Sequence, residues 1–156
     1  MMDTRNVMVR IAAAASTVLL LSAVPQGGTP AKYAVVINSS NSCQVKDAKA
    51  RGLIKQLFLK QLSRWPDGLV AKPYARKKSS KGHSVFGSQV LQMSGAEQAR
   101  HWLRAKHLDG TTAPNSVSSD RMLLKHIEKH DGALGVVSLS ALQKANKVSV
   151  RILYRF

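Results

Sequence analysis

The chain is short of cysteine and of acidic residues. Of its 156 residues only Cys43 is a cysteine, and eight are Asp or Glu against 24 Lys or Arg. A single thiol cannot form an internal disulfide, so no disulfide framework holds the fold. So few acids disfavour paired catalytic carboxylates, and the sequence has neither a G-x-S-x-G motif nor a Walker-type glycine loop. Because no nucleophile–base pair can be named, we expect no catalysis and no cofactor.

Metal-ligand patterns are equally sparse. His126 and His130 stand four residues apart on a predicted helix and can share one face of it. A zinc site needs a third or fourth ligand, and the order H-I-E-K-H differs from the zinc-binding H-E-x-x-H. We therefore expect exposed helix histidines and no bound metal.

Positive charge is what the sequence has in excess, with a formal net charge of +16 at pH 7. A field of this sign favours acidic partners such as phosphate, nucleic acid or an anionic membrane surface. Only Asp3, Arg5 and Arg10 are charged within the first 31 residues. The basic character therefore belongs to the rest of the chain.

The longest apolar run lies near the N-terminus, at residues 11–24, after Arg5 and Arg10. A basic segment followed by a run of this length is typical of a secretory signal, and the run is short of the about 20 residues that span a membrane. We predict a signal peptide at 1–31, cleaved between 23 and 31, and one folded domain at 32–156. The alternative is an uncleaved anchor. We expect a periplasmic protein with no stable membrane insertion after the signal is removed.

Strands alternate with helices along the remaining chain, which indicates an α/β fold. Apolar periodicity, turn residues and capping signals place the boundaries. The predicted strands are 33–38, 69–75, 133–137 and 148–154. The predicted helices are 46–62, a segment that ends near 92 after a turn at 76–84, 94–108, about 118–130 and 138–145. We interpret residues 111–116 as a loop.

The segment 76–86, R-K-K-S-S-K-G-H-S-V-F, is a polar turn that leads into an apolar helix. The first amides of a helix lack intrahelical partners and carry the positive end of its dipole, so such a start binds anions. The turn also carries hydroxyls and cations, at Ser79, Ser80, Ser84, Arg76, Lys77, Lys78 and Lys81. From the local sequence alone, the commoner arrangement is a basic solvated loop with Ser80 as an ordinary N-cap.

Four segments resemble motifs of one protein family. Residues 54–68, I-K-Q-L-F-L-K-Q-L-S-R-W-P-D-G, resemble I-F-L-G-K-L-x-x-W-x-D-G, and residues 76–86 resemble a phosphate loop, R-x-D-x-S-G-T-x-x-x-F. Residues 117–132 resemble V-x-S-D/N, a helix and P-G-A, and residues 131–137, D-G-A-L-G-V-V, resemble P-G-A-I-G-Y-V. In this order the segments resemble the solute-binding proteins of phosphate ABC transporters, especially their reduced, single-domain members.

The resemblance implies a type II periplasmic-binding-protein-like α/β fold, reduced to a small sheet with flanking helices, which holds phosphate by hydrogen bonds. The implied contacts are the guanidinium of Arg76, the hydroxyl of Ser80, the backbone amides of Lys81 and Gly82, and, as a second contact, Ser39 and Ser40. The sequence departs from the family at several places, including His83, where many reduced members have arginine, and two positions of the phosphate loop. Lys78 replaces an acidic residue that would accept the proton of HPO4²⁻ and reject sulfate, and Gly82 replaces a hydroxyl.

Two functions are consistent with these observations. The first is an extracytoplasmic binding protein for phosphate or a related oxyanion, with an ABC transporter permease as a further partner. The alternative is a degenerate binding fold whose basic surface engages an anionic macromolecule or envelope component, without specific binding of nucleic acid. A pocket ligand would depend on Arg76 and Ser80, whereas a surface partner would be lost steeply with added salt.

Overall fold

A computed structural model describes residues 30–145 and 147–156. The predicted signal peptide therefore lies almost entirely outside the described residues. The strands are β1 (Tyr33–Asn38), β2 (Lys72–Arg76), β3 (Asn115–Val117), β4 (Ala133–Ser138) and β5 (Val150–Arg155). The helices are α1 (Asp47–Phe58), α2 (Lys81–Phe86), α3 (Gly95–Asp109), α4 (Asp120–Lys129) and α5 (Leu139–Lys144). A π-helical turn, Gly87–Leu91, continues α2.

All five strands form one mixed sheet in the order β3-β2-β4-β1-β5. Strand β2 is parallel to both β3 and β4, whereas β1 is antiparallel to β4 and β5. The chain therefore leaves β2, β3 and β4 at the same edge of the sheet. It leaves β1 at the opposite edge, and this difference decides which predicted site residues can meet.

Helices cover both faces of the sheet. On one face, Val35 and Ile37 of β1 pack in a core with Ile54 and Leu57 of α1 and with Phe86 of α2. On the other face, alternate residues of β1, β2 and β4 pack against the buried side of α4, with α5 at the border; this second core contains Ala34, Val36, Tyr74, Leu123, Ile127 and Val137. The result is a three-layer arrangement that buries the apolar residues of both sheet faces.

The structure corrects several predicted boundaries: β2 begins at Lys72 rather than at 69, and α2 begins at Lys81, inside the predicted turn 76–84. Helix α1 ends at Phe58 rather than at 62, because Lys60 adopts a left-handed backbone conformation (φ 54°) that cannot continue a helix. The predicted loop 111–116 contains the start of β3, a three-residue edge strand paired with β2. So short and polar a strand has no alternation by which the sequence could reveal it.

Strand β2 contains Pro73, which lacks a backbone N–H. The amide of Lys72 bonds toward β4, at the carbonyl of Gly132 (2.9 Å), so the nitrogen of Pro73 faces the side of β3. Pairing with β3 begins only at Tyr74. The proline therefore removes no ladder bond, which explains its place in an inner strand.

Among the described helices, none has the length and hydropathy needed to cross a membrane.

Candidate anion site at the ends of the parallel strands

Three helices begin at the edge where the parallel strands end. Strand β2 leads into α2, β3 into α4 and β4 into α5. Each helix has a serine N-cap whose side chain accepts from a backbone amide one turn ahead: Ser80 from His83, Ser119 from Met122 and Ser138 from Ala141. The carboxyl edge of parallel strands is where open α/β sheets commonly bind ligands, and helix N-termini there favour anions.

Arg76 is the last residue of β2 and lies at this edge. Its side chain is only 13% exposed, and its Nη1 lies 3.3 Å from Oδ1 of Asp120. The contact is an ion pair, but it lacks hydrogen-bond geometry, and within the described residues the buried Nη1 has no hydrogen-bond partner. Most buried polar atoms in proteins are hydrogen-bonded, whereas the N–H groups of this nitrogen make no hydrogen bond to the described residues.

Asp120 is a site residue that the sequence analysis did not single out. It opens α4, its Oδ1 faces Arg76, and its Oδ2 accepts the hydroxyl of Ser138 (2.7 Å). The Ser-Asp pair at 119–120 falls within the V-x-S-D/N resemblance, which is the signal that could have identified it. The structure thus places a carboxylate beside Arg76 although the loop carries Lys78 where the family has an acid.

The predicted contacts in the turn follow Arg76 in the chain, at the start of α2. The hydroxyl of Ser80 accepts from the amide of His83 (3.2 Å), which leaves its own O–H able to donate. Lys81 and Gly82 are the first two residues of α2, where backbone amides have no intrahelical acceptor. Gly82 is buried, and a Cβ there would lie 3.0 Å from Cε1 of Tyr33, so the start of α2 sits directly on the tyrosine ring.

The electrostatic surroundings of Arg76 are positive. The Arg76–Asp120 contact is the only ion pair in the part of the chain that the structure describes, and Lys77, Lys78 and Lys81 are exposed nearby. Partial burial lowers the pKa of His83 below 6.5; a hydrogen bond to the backbone of Arg76 opposes this shift and Lys78 adds to it. His83 is therefore mainly neutral at pH 7, and the permanent cations dominate the field.

Ser39 and Ser40 lie at the other end of the sheet. The register places Asn38, the last residue of β1, level with Ala133, whereas Arg76 is level with Val137. Four residues of strand separate them by about 13 Å. Hydrogen bonds reach about 3 Å, so one small oxyanion cannot contact both sets. The structure does not bring the predicted second contact to Arg76, because β1 runs antiparallel to β4.

Metal-ligating groups do not gather at this edge. Among the described residues, no three His, Cys, Asp or Glu side chains are close enough to hold a metal ion. The ring of His126 stacks on Tyr74 with centroids 4.9 Å apart, and Nδ1 of His130 lies 3.4 Å from Nζ of Lys72. The two histidines, which are half-buried rather than exposed as expected, therefore have separate local partners.

Comparisons with known proteins bear on the fold. No protein-family model matches the chain, and no curated protein matches it significantly in sequence. Solved structures do match. An ABC-type phosphate transport receptor from Vibrio cholerae aligns with TM-score 0.57 and 17% identity, covering 79% of this chain and 45% of its own length. PstS from Borrelia burgdorferi aligns with TM-score 0.55 and 14% identity, covering 80% and 48% respectively.

A further match is to a phosphate ABC transporter substrate-binding protein with bound phosphate, from Clostridium perfringens, with TM-score 0.53 and 13% identity. It covers 78% of this chain and 53% of that protein. The chain spans about half the length of the solved structures that it matches. The predicted α/β fold class is confirmed: this chain has the fold of phosphate-transport binding proteins, reduced to one sheet with flanking helices.

Proposed function

We propose that this protein is an extracytoplasmic solute-binding protein that holds phosphate, or a related oxyanion, at the carboxyl end of β2. The proposal rests on one observation at Arg76. Its buried Nη1 lacks a hydrogen-bond partner among the described residues, and Arg76 lies at the edge of the sheet where three helices begin. An oxyanion would supply the missing acceptor. It would also accept from the hydroxyl of Ser80 and from the amides of Lys81 and Gly82.

Asp120 gives this site a basis for selectivity. A carboxylate repels a fully ionised oxyanion such as sulfate, but it accepts a hydrogen bond from a protonated one such as HPO4²⁻. We propose that the Asp120 carboxylate, which accepts from Ser138 and faces Arg76, accepts a hydrogen bond from that proton. We therefore expect phosphate to bind more tightly than sulfate, although Lys78 replaces the acidic residue of the loop.

We also propose a periplasmic location and an ABC transporter partner for this protein. A signal peptide at 1–31 would place the domain in the periplasm, where an ABC transporter permease would receive the bound oxyanion. The support is the basic segment and apolar run of the N-terminus, together with the fold that the chain shares with an ABC-type phosphate transport receptor.

Calorimetric titration of the purified full chain with phosphate, sulfate and chloride, at matched ionic strength, tests the proposal. We expect phosphate to bind most tightly, and Arg76→Met to weaken it by about tenfold or more, because a charge-assisted hydrogen bond contributes roughly 1.5–3 kcal/mol. Asp120→Asn should reduce the preference for phosphate over sulfate. The matched control is Lys49→Met, which removes one positive charge from an exposed position on α1.

A different result would favour the alternative function. If Lys49→Met weakens anion binding as much as Arg76→Met does, and if added salt abolishes the binding, then a diffuse basic surface is responsible and no pocket is involved.

A further inference from the structure

A groove of about 670 Å³ opens beside Arg76. It runs between α2 with its π-helical continuation, helix α3 and the segment 112–116. Its walls are mostly apolar and include Phe58, Phe86, Leu91, Met93, Trp102 and Leu103. Its cationic lining comes from Arg76, Lys78 and Lys106. Ligand sites in proteins have volumes of roughly 300–1,000 Å³ and combine apolar walls with a few polar groups, as this groove does.

Helix α3 forms one wall of the groove and meets the core mainly through the half-buried Trp102. Of its 15 residues only Gln98 is buried, and Leu103, which lines the groove, is 59% exposed. A surface helix normally buries its apolar stripe against its own domain. Here the space beneath the helix is open, so apolar side chains of α3 face the groove and remain in contact with solvent.

Two polar contacts join side chains of α3 to residues outside the helix. Nε2 of Gln98 donates to the carbonyl of Met93 (3.3 Å), and Nε2 of His101 lies 3.2 Å from the carbonyl of Leu59. The capping box of Ser94 and Glu97 fixes where the helix begins. The apolar walls are thus preformed, and filling them with an apolar group would remove that surface from water at little ordering cost.

We propose that the ligand of this site is an organic phosphate, a phosphate monoester whose anionic group lies at Arg76 and whose aromatic or alkyl group fills the groove. The inference rests on the proposed function, because both use Arg76 as the anchor. Charge complementarity favours this occupant: cations line a groove whose walls are mostly apolar. Inorganic phosphate would satisfy Arg76 but would leave the apolar walls exposed to water.

The test is calorimetry of the full chain with four probes: 1-naphthyl phosphate, decyl phosphate below its aggregation concentration, inorganic phosphate and 1-naphthol. We expect at least one ester to bind about tenfold more tightly than inorganic phosphate, because an aryl or alkyl group buries a large apolar area. The aryl and alkyl esters distinguish a soluble aromatic phosphate from a lipid-like one. The alcohol 1-naphthol should bind weakly, since it lacks the anion.

Variants in the groove separate its contribution from that of Arg76. Leu103→Ala should weaken ester binding about threefold and leave inorganic phosphate unchanged. Ala99→Trp, which places a bulky ring in the groove, should do the same more strongly. The matched control is Leu108→Ala, which removes an equal side chain from the same helix at a position that is 78% exposed and outside the groove.

The outcomes are distinguishable. If inorganic phosphate binds through Arg76 and neither ester binds more tightly, this inference is overturned while the proposed function stands. If no phosphate compound binds, both are overturned. If 1-naphthol binds as tightly as its phosphate ester, the groove is an apolar site independent of Arg76 and the inference is again overturned.

Discussion

Arg76 and Arg151 are two half-buried arginines at opposite ends of one sheet, and their partners differ. Arg151 lies on β5, level with Ile37, and its Nη2 donates to the carbonyls of Asn41 (2.8 Å) and Cys43. Arg76 faces a carboxylate, and its Nη1 donates no hydrogen bond within the described residues. The guanidinium of Arg151 therefore binds two loop carbonyls, whereas Nη1 of Arg76 makes no hydrogen bond to the described residues.

The groups around each arginine show the same difference. Near Arg151, Nδ2 of Asn38 donates to the carbonyls of Ile127 (2.9 Å) and Glu128 (3.0 Å), and its Oδ1 accepts from Ser40. That end of the sheet thus satisfies its buried polar groups internally. Near Arg76, three helices begin beside a guanidinium that has an ion pair but no hydrogen bond at Nη1. Buried polar groups with internal partners support the fold, and we propose that the one without a hydrogen bond binds a ligand.

The largest effect on stability should come from the satisfied end. Asn38 is 3% exposed and makes three hydrogen bonds, so Asn38→Ala removes three buried or partly buried hydrogen bonds, although the carbonyl of Ile127 still accepts from the amide of His130 (3.4 Å). We expect a loss of about 3 kcal/mol in the free energy of unfolding, measured by urea denaturation. Phosphate affinity, measured where the variant is folded, should be unchanged. A variant as stable as the wild type would contradict the structural role of Asn38.

Arg151→Met should have the next largest effect. Two carbonyls lose a charged donor, so we expect a loss of about 2 kcal/mol in the free energy of unfolding. The double variant Arg76→Met, Asp120→Asn removes an ion pair as a unit and should change stability by less than about 1 kcal/mol, because replacing a buried ion pair is often nearly neutral. Urea denaturation of both proteins measures the contrast, and equal losses would contradict it.

Gly82→Ala tests a packing contact at the start of α2. A Cβ at Gly82 would lie 3.0 Å from the ring of Tyr33, which must shift by a few tenths of an ångström. We expect a loss of about 1 kcal/mol in the free energy of unfolding, measured by thermal denaturation, because overpacking a close contact is destabilising. Gly95→Ala at the start of α3 is the control, since a Cβ there has open space around it. A loss of equal size in both variants would show that the contact with Tyr33 is unimportant.

The smallest effect is a dependence on pH through His83. Its pKa is lowered in the folded state by partial burial, so the unfolded chain takes up a proton first as the pH falls below 6.5. Stability should therefore be full above pH 6.5 and decline as the pH falls toward the folded pKa. His83→Gln should remove part of the decline seen in thermal melts from pH 7.5 to 5. Identical pH profiles would mean that His83 makes no such contribution.

The sequence predicted the elements whose signals are local. The β-branched run at Tyr33–Asn38 forms β1 with its predicted bounds, and the Ser94–Glu97 capping box begins α3. Both features depend on residues within one or two turns of each other. The end of α1 was predicted too late because Leu62 continues the apolar spacing after Lys60 has turned the backbone.

The sequence could group candidate site residues only along one segment. Arg76, Ser80, Lys81 and Gly82 lie within seven positions of one turn, and their contact with an anion stays a prediction. Asp120 joins Arg76 across 44 positions, through the pairing of β2 with β3, and no local pattern records that contact. Ser39 and Ser40 were grouped with Arg76 by resemblance, and only the strand directions separate them.

We propose that Arg76, whose Nη1 makes no hydrogen bond to the described residues, holds an oxyanion and that Arg151 does not. Calorimetric titration of phosphate into Arg76→Met and Arg151→Met, each in its folded state, tests this most directly. We predict that Arg76→Met loses about tenfold or more in affinity, as expected when a charge-assisted hydrogen bond is removed, and that Arg151→Met changes by less than about twofold. Equal affinities in the two variants would contradict the account.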